Sequence, residues 1–490
     1  MTQLAEKPIP PQPAAPRAAE GAAGAVQAAG TVVKLNAFQG LMRRWSKLHP
    51  YNAGQVMRIT GAGDRERWKL AAEAAIGELG LGRPRFFGGV GRSSSEHSVS
   101  FVPVEEVVIE QSGRDLETFF NEELNRAFAA GDVPIRFCIL PAEKAADGEE
   151  SHYLAAVYDH WIADSRAMRE LMRRLYERYH HGPDAPPTLP SLTLETPSFG
   201  KLFGKHVGKL KRFAAMRESL KNIWRHRHAY RVNLFEPTDF KSKFLIRELP
   251  EGLIERVHRY AKTRGASVND LFIAVIGQAM GAATADDRLR RSKKPLHFTR
   301  KHVGIGTIVD IRDAASEPLD RVFNLYLSSY TVLLKNAENR PVDDLMREVA
   351  LETSKIKKSK ATVKGFWALV MARFWYDVLD LPRFQASLLH KTVPVVAGIS
   401  NVNMTGGWAD IGAAKAQENG DAGAPRVLDY LRISPTGPLG PLVFTLTTIG
   451  GRLSLCVTYR TTAFGPRKIS ETVTDFIRRL EAIGAQGPEN

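Results

Sequence analysis

Cysteine is almost absent: Cys138 and Cys456 are the only two in 490 residues. Two thiols make neither a disulfide framework nor a CxxC-type metal site, so the expected setting is reducing and cytoplasmic. Long apolar runs are missing as well. None reaches the roughly 18 consecutive residues a membrane-crossing helix needs, so no spanning segment is expected. The N-terminus lacks a basic start followed by an apolar stretch, which excludes a secretory signal of the usual kind. Residues 1–30 have almost no large apolar side chains and are rich in Ala, Pro and Gly. Such a segment cannot offset its ordering entropy and is expected to be a disordered tail. Also missing are helix-turn-helix, zinc and RNP-type patterns, which argues against nucleic-acid binding despite a net charge of +15.

What remains is the composition of a globular chain, with 43% hydrophobic and 25% charged residues. Its length suits two domains of roughly 150–250 residues. The first half alternates short strand-like and helix-like segments. GQVMRIT (54–60), VPIRFCIL (133–140) and HYLAAVY (152–158) read as strands, and 64–80 and 165–180 as amphipathic helices. The Pro-rich stretch 182–198 reads as a boundary. A basic amphipathic helix is expected over 201–228, where nine Lys/Arg face one acidic residue, Glu218. Phe203, Val207, Leu210, Phe213, Leu220 and Trp224 recur there at helical spacing. Further basic clusters occupy 288–301 and 355–364. Each can be a plain solvated face, a steering surface for an anionic ligand, or, for 201–228, a peripheral membrane contact. The second half carries strands at 244–250, 303–312, 323–334 and 393–403. Helices are expected over 252–265, 267–283, within 341–379 and over 469–483. The segments VLDYLRIS, GPLVFTLTTIGG and RLSLCVTYR read as a β-meander with a turn at Gly450-Gly451, and 409–426 reads as a small-residue loop. The expected organisation is thus a tail (1–30), a first domain (31–185), a linker with the basic helix (186–242) and a second domain (243–485).

The pattern HxxxD occurs twice. The copy His180–Asp184 runs from a helix end into the Pro-rich linker and reads as ordinary helix termination. The copy in VYDHWIADS (157–165) lies between a strand and an amphipathic helix, a junction that projects side chains into clefts. On pattern alone it supports two readings. Asp164 can be an N-cap for the helix starting at Ser165, with His160 a satisfied strand-end histidine. Alternatively, His160 is a base held by its neighbours.

The order of elements resembles the chloramphenicol acetyltransferase-like, CoA-dependent acyltransferase superfamily, whose signature HHxxxDG follows a strand in the first of two similar domains. That group includes peptide-synthetase condensation domains and wax ester synthase/diacylglycerol acyltransferases. HPYNAGQVMRITG (49–61), GASVNDLFIAVIGQA (265–279), VGIGTIVDIR (303–312) and GISNVN (398–403) are similar to further segments of that superfamily, in the expected order. GISNVN points to the wax ester synthase branch. The resemblance implies an α/β fold with mixed sheets: two such domains side by side, with a tunnel at their interface. It implies transfer of an acyl group from a thioester to a hydroxyl or amine, with His160 as general base. A histidine titrating near neutrality suits that task. Asp164 becomes an orienting residue with Arg312 as its partner. Ser400, Asn401 and Thr405 become tunnel or oxyanion candidates. No metal and no permanently bound cofactor is implied. The co-substrate is acyl-CoA or an acyl carrier thioester, which makes an acyl carrier protein a candidate partner. A binding protein on the same fold, catalytically inactive, is the competing class. Two positions depart from the signature. Asp159 stands for the first His and is expected to raise the His160 pKa if the two are close. Ser165 stands for the Gly that allows a tight backbone.

Overall fold

A computed structural model describes residues 32–88, 96–144, 148–206, 217, 221, 224–236, 238–292, 300–363, 394–404, 425–438 and 440–486. The expected tail (1–30), Thr405, most of the basic helix (201–228), half of the 288–301 cluster, the 364–379 part of the expected helices and most of the 409–426 loop lie outside these.

In the first half the elements are β1 (Val33–Lys34), α1 (Ala37–Leu48), β2 (Asn52–Thr60), α2 (Arg65–Leu79), β3 (Arg83–Gly88), β4 (Glu96–Val102), β5 (Ile109–Gln111), α3 (Leu116–Glu123), β6 (Ile135–Pro141), β7 (Ser151–Asp159) and α4 (Ser165–His181). A short α5 (Phe199–Phe203) leads to β8 (Ser242–Glu248), α6 (Leu253–Thr263), α7 (Val268–Ser292), β9 (His302–Asp310), β10 (Leu327–Lys335) and α8 (Val342–Ser359). The chain closes with β11 (Ala397–Asn403), β12 (Val427–Ile433), β13 (Leu442–Ile449), β14 (Arg452–Arg460) and α9 (Pro466–Ala485).

Two mixed sheets organise the molecule. The first runs β12-β2-β7-β6-β5 and the second β10-β9-β11-β13-β14-β8; β1, β4 and β3 form a small third sheet. The sheets do not follow the halves of the chain. Strand β12, from the second half, adds antiparallel to β2, with Ile433 opposite Gly54 and Arg432 opposite Gln55. The expected meander is therefore corrected. β13 and β14 form the hairpin, turning at Gly450 and Gly451 with φ +53° and +77°, while VLDYLRIS leaves for the other sheet. The reason is that β12 is buried on both faces. Leu431 and Ile433 join Val56, Phe120, Phe244 and Cys456 in a cluster between the two sheets, and Tyr430 joins the core under the helices of the first half. Each fully buried side chain of this size contributes roughly 1.5–3 kcal/mol, which a solvent-exposed edge position cannot offer.

The outer edge of β8 is covered by α3 and the residues just after it. Asn125 accepts from the Ser242 N–H at 2.9 Å and donates to the Ser242 carbonyl at 2.8 Å; Asn121 accepts from the Phe244 N–H at 2.8 Å. Two amide side chains thus replace a neighbouring strand, which leaves this edge unavailable for pairing with another chain. In the second half, α7 is a core helix. Val268–Leu289 has the length and hydropathy of a membrane span, but 72% of its 18-residue apolar window is buried within the protein. Both cysteines are buried and free, and burial pushes the Cys138 thiol up to about 12.

Candidate active site

Strand β7 delivers the HxxxD loop. Its last ladder pair is Asp159 with Asn52, and His160 extends the ladder by one bond, its N–H donating to the Tyr51 carbonyl at 3.0 Å. Trp161 then turns into the core against Phe86 (centroids 5.2 Å apart), and its carbonyl accepts from Gln39 Nε2 at 3.2 Å. The loop is pinned before the helix begins.

The His160 imidazole stands between two phenol rings. Tyr51 stacks on it at 5.7 Å and Tyr158 meets it edge-on at 5.7 Å. Its Nδ1 lies 3.0 Å from the Ala163 carbonyl oxygen. A carbonyl only accepts, so Nδ1 carries the proton and Nε2 keeps the lone pair. Nε2 has no hydrogen-bond partner among the described residues. Burial pulls the imidazole below its ordinary pKa, outweighing the Ala163 hydrogen bond and the Asp164 charge. The imidazole is neutral at pH 7.

Asp164 is 0% exposed and makes four hydrogen bonds. Oδ1 accepts from the N–H groups of Arg166 (3.1 Å) and Ala167 (3.0 Å), capping α4. Oδ2 accepts from Arg312 Nη1 at 2.7 Å and from the Tyr326 N–H at 2.9 Å. Both of those donors belong to the second half. Burial opposes ionisation of Asp164, but the Arg312 guanidinium and these N–H groups outweigh it and hold the carboxyl below its usual range. Arg312 also donates to the Asn324 carbonyl at 3.2 Å. Asp164 is therefore a helix cap and, with its other oxygen, the clamp of the HxxxD loop onto the second half.

Asp159 points away from His160. It accepts from Ser46 Oγ at 2.7 Å and lies 3.7 Å from Arg43 Nη1 on α1. Burial pushes it up to about 6, against Ser46 and Arg43. The expected rise in the His160 pKa does not occur, because period-two alternation at the strand end sends neighbouring side chains to opposite sides. Ser165 Oγ accepts from Gln55 Nε2 at 3.0 Å and is approached by Arg169 (3.3 Å) and Arg432 (3.5 Å). The same alternation separates Ser400 from Asn401. Ser400 accepts from Arg432 at both its hydroxyl and its carbonyl, each at 3.0 Å, while Asn401 faces the other side of β11. The second HxxxD copy sits where α4 ends at Gly182, its His180 carbonyl accepting from Arg67 at 2.8 Å.

Tyr51, Tyr158, Gln55, Arg169, Arg432 and the Ala163 carbonyl are members that motif reading misses. The one sequence signal was Arg432, a cation inside the apolar run VLDYLRI. The start of the 201–228 segment faces inward: Leu202 and Phe203 pack with Ile311, Leu319 and Tyr326 beside the clamp, whereas Trp224 is exposed.

No family model and no curated protein matches the sequence. Comparison of structures gives a different result. The Fusarium sporotrichioides trichothecene 15-O-acetyltransferase TRI3 superposes with a TM-score of 0.67 at 11% identity, covering 92% of this chain and 95% of that one. The first condensation domain of the CDA synthetase gives 0.66 at 14% identity, covering 94% and 97%. The condensation domain of the monacolin K polyketide synthase MokA gives 0.60 at 12% identity, covering 94% and 98%. The chain has the condensation-domain fold. This is the chloramphenicol acetyltransferase-like architecture of two pseudo-domains built on mixed sheets. In this condensation-domain fold the HxxxD loop lies where the halves meet, since Asp164 joins α4 to Arg312 and Tyr326.

Proposed function

We propose that this protein transfers an acyl group from a thioester to a hydroxyl or amine acceptor, with His160 as general base. The observation that carries the proposal is the fixed tautomer: Nδ1–H held by the Ala163 carbonyl at 3.0 Å, with Nε2 unpartnered among the described residues. In the proposed reaction the acceptor oxygen or nitrogen attacks the thioester carbonyl while Nε2 takes its proton. The C–S bond then breaks, and the imidazolium returns the proton to the departing sulfur as thiol. The lowered pKa of His160 keeps the base unprotonated at neutral pH. Asp164 touches no reacting atom in this scheme and is a positioning residue, with Arg312. Ser400, whose hydroxyl proton is not used by Arg432, is a candidate donor to the developing oxyanion. The donor is acyl-CoA in the first instance. A carrier-bound thioester is the alternative, supported by the structural likeness to synthetase condensation domains.

The test is thiol release from a panel of acyl-CoAs and carrier-bound acyl thioesters, with alcohols and amines as acceptors. His160→Ala is expected to lose roughly 100-fold or more of the turnover. Unchanged turnover in the variant removes His160 from the mechanism. Absence of turnover by the intact protein across the panel favours a non-catalytic binding role.

A further inference from the structure

The polar row at the end of the first sheet holds more positive charge than the proposed chemistry uses. Gln55, Tyr158, Tyr430 and Arg432 share one face of β2, β7 and β12. Arg432 is 2% exposed and reaches across to the second sheet. Its Nε donates to Thr447 Oγ1 (3.2 Å), Nη1 to Ser400 Oγ (3.0 Å), and Nη2 to the carbonyls of Ser400 (3.0 Å) and Leu446 (2.6 Å). All of these acceptors are neutral. Arg169, one turn into α4, donates to Ser165 Oγ, the same hydroxyl that Arg432 approaches. Neither arginine has a carboxylate partner among the described residues. The two acids that act on Arg169 by charge are already engaged: Asp164 with Arg312 at 2.7 Å and Glu170 with Arg174 at 3.3 Å. Two guanidiniums therefore converge on one serine with no anion between them among the described residues. Burial, then the charge of Arg169, pulls Arg432 down to about 9. A buried cation left uncompensated is costly to keep, and an anionic ligand relieves that cost.

We propose that Ser165, flanked by Arg169 and Arg432, receives a carboxylate carried by the substrate close to its reacting bond. The word substrate rests on the acyl-transfer proposal; the anion site itself does not. The roles divide by available donors. Four of the five N–H groups of Arg432 are taken by Thr447, Ser400 and Leu446, so it contributes mainly charge. Arg169 keeps Nε and Nη2 without acceptors among the described residues, and so has the fork that a carboxylate accepts from. Ser165 accepts from Gln55 and Arg169, which fills its two lone pairs and leaves its own O–H to donate. A glycine here, as in the family signature, lacks that hydroxyl. The site is near the base: Gln55 Nε2 also reaches the Tyr158 hydroxyl at 3.5 Å, and the Tyr158 ring is 5.7 Å from His160. The phosphate of a pantetheine thioester lies a full pantetheine arm from its sulfur. A charge this close to His160 therefore suits a carboxylate on the acceptor or the acyl group.

The experiment is calorimetric titration of the full chain with malonate at fixed ionic strength, with inorganic phosphate as the second arm. Saturable malonate binding is expected in the wild type and in His160→Ala. Arg169→Gln should weaken it about tenfold or more, and Arg169→Lys less. Ser165→Gly gives a second, independent weakening. Arg169 is partly exposed, so a shared melting temperature checks that the variants are folded. Three results overturn the proposal: no saturable malonate binding by the wild type, equal affinity in Arg169→Gln, or tighter binding of phosphate than of malonate. An active enzyme that does not bind malonate sinks this site and leaves the acyl-transfer proposal standing. Malonate binding by a protein that acylates nothing does the reverse.

Discussion

Removing either member of the Asp164–Arg312 pair should destabilise the protein far more than breaking a surface ion pair. The side chains are 0% and 4% exposed and lie 2.7 Å apart. Arg312→Ala leaves a buried carboxylate with three backbone N–H donors, and Asp164→Ala leaves an uncapped α4 and a buried guanidinium held only by the half-buried Asp310 at 3.3 Å and the Asn324 carbonyl. Deleting one partner of a buried pair costs about 3–5 kcal/mol, and losing the cap adds about 1 kcal/mol to the Asp164 variant. Against a total stability of roughly 5–15 kcal/mol, either change should move the urea midpoint visibly. The double variant should cost less than the sum of the singles, because neither charge is then orphaned. The assay is a double-mutant cycle by urea unfolding. The pH dependence adds a check. Asp164 has a folded pKa below its unfolded value near 3.8, so between those values the unfolded chain binds more protons. The stabilisation is present above the unfolded pKa and is lost as pH falls through the folded one. Asp164→Asn should flatten that acid limb. Single-variant losses below about 1 kcal/mol, the range of exposed pairs, or strict additivity in the cycle, would refute the clamp.

His160 has its pKa lowered by burial, so kcat/KM should rise with pH below 6.5 and be level by pH 7; a midpoint above 6.5 would contradict the buried neutral base. Asp159 behaves oppositely to Asp164 in stability. Its folded pKa is raised to about 6, so between about 4 and 6 the folded state holds the extra proton and stability falls as pH rises. Asp159→Asn should therefore gain on the wild type by up to about 3 kcal/mol between pH 4 and 7, read from melts across that range; a pH-independent difference would remove the burial argument. Asn125→Ala strips both hydrogen bonds from Ser242 on β8. A loss of about 1–3 kcal/mol and greater self-association on light scattering are expected, and an unchanged monomer of wild-type stability would show the edge needs no cover.

The strands that carry the site were legible because their burial leaves a period-two pattern, and α4 because its stripe and its Asp164 cap are local. Arg312 was reachable only through resemblance, since nothing local ties a residue after β9 to a carboxylate 148 positions earlier. The destination of β12 was not legible at all. VLDYLRI is buried on both faces, and an apolar run of that kind fits any central strand regardless of its partner. Its buried cation, Arg432, is explained only once the strand is paired with β2, because that pairing aims the side chain across the seam at Ser400 and Leu446. The choice first posed by VYDHWIADS also disappears in three dimensions. A carboxylate has two oxygens, and Asp164 uses one for the helix cap and the other for the clamp. The same holds for the departures at 159 and 165. Asp159 is turned toward α1 and leaves the His160 imidazole alone, while Ser165 brings a hydroxyl to the point where two arginines without a carboxylate partner among the described residues meet. The two departures therefore differ in what they touch: Asp159 couples burial to pH through α1, and Ser165 sits beside Arg169 and Arg432, where the anion site is proposed.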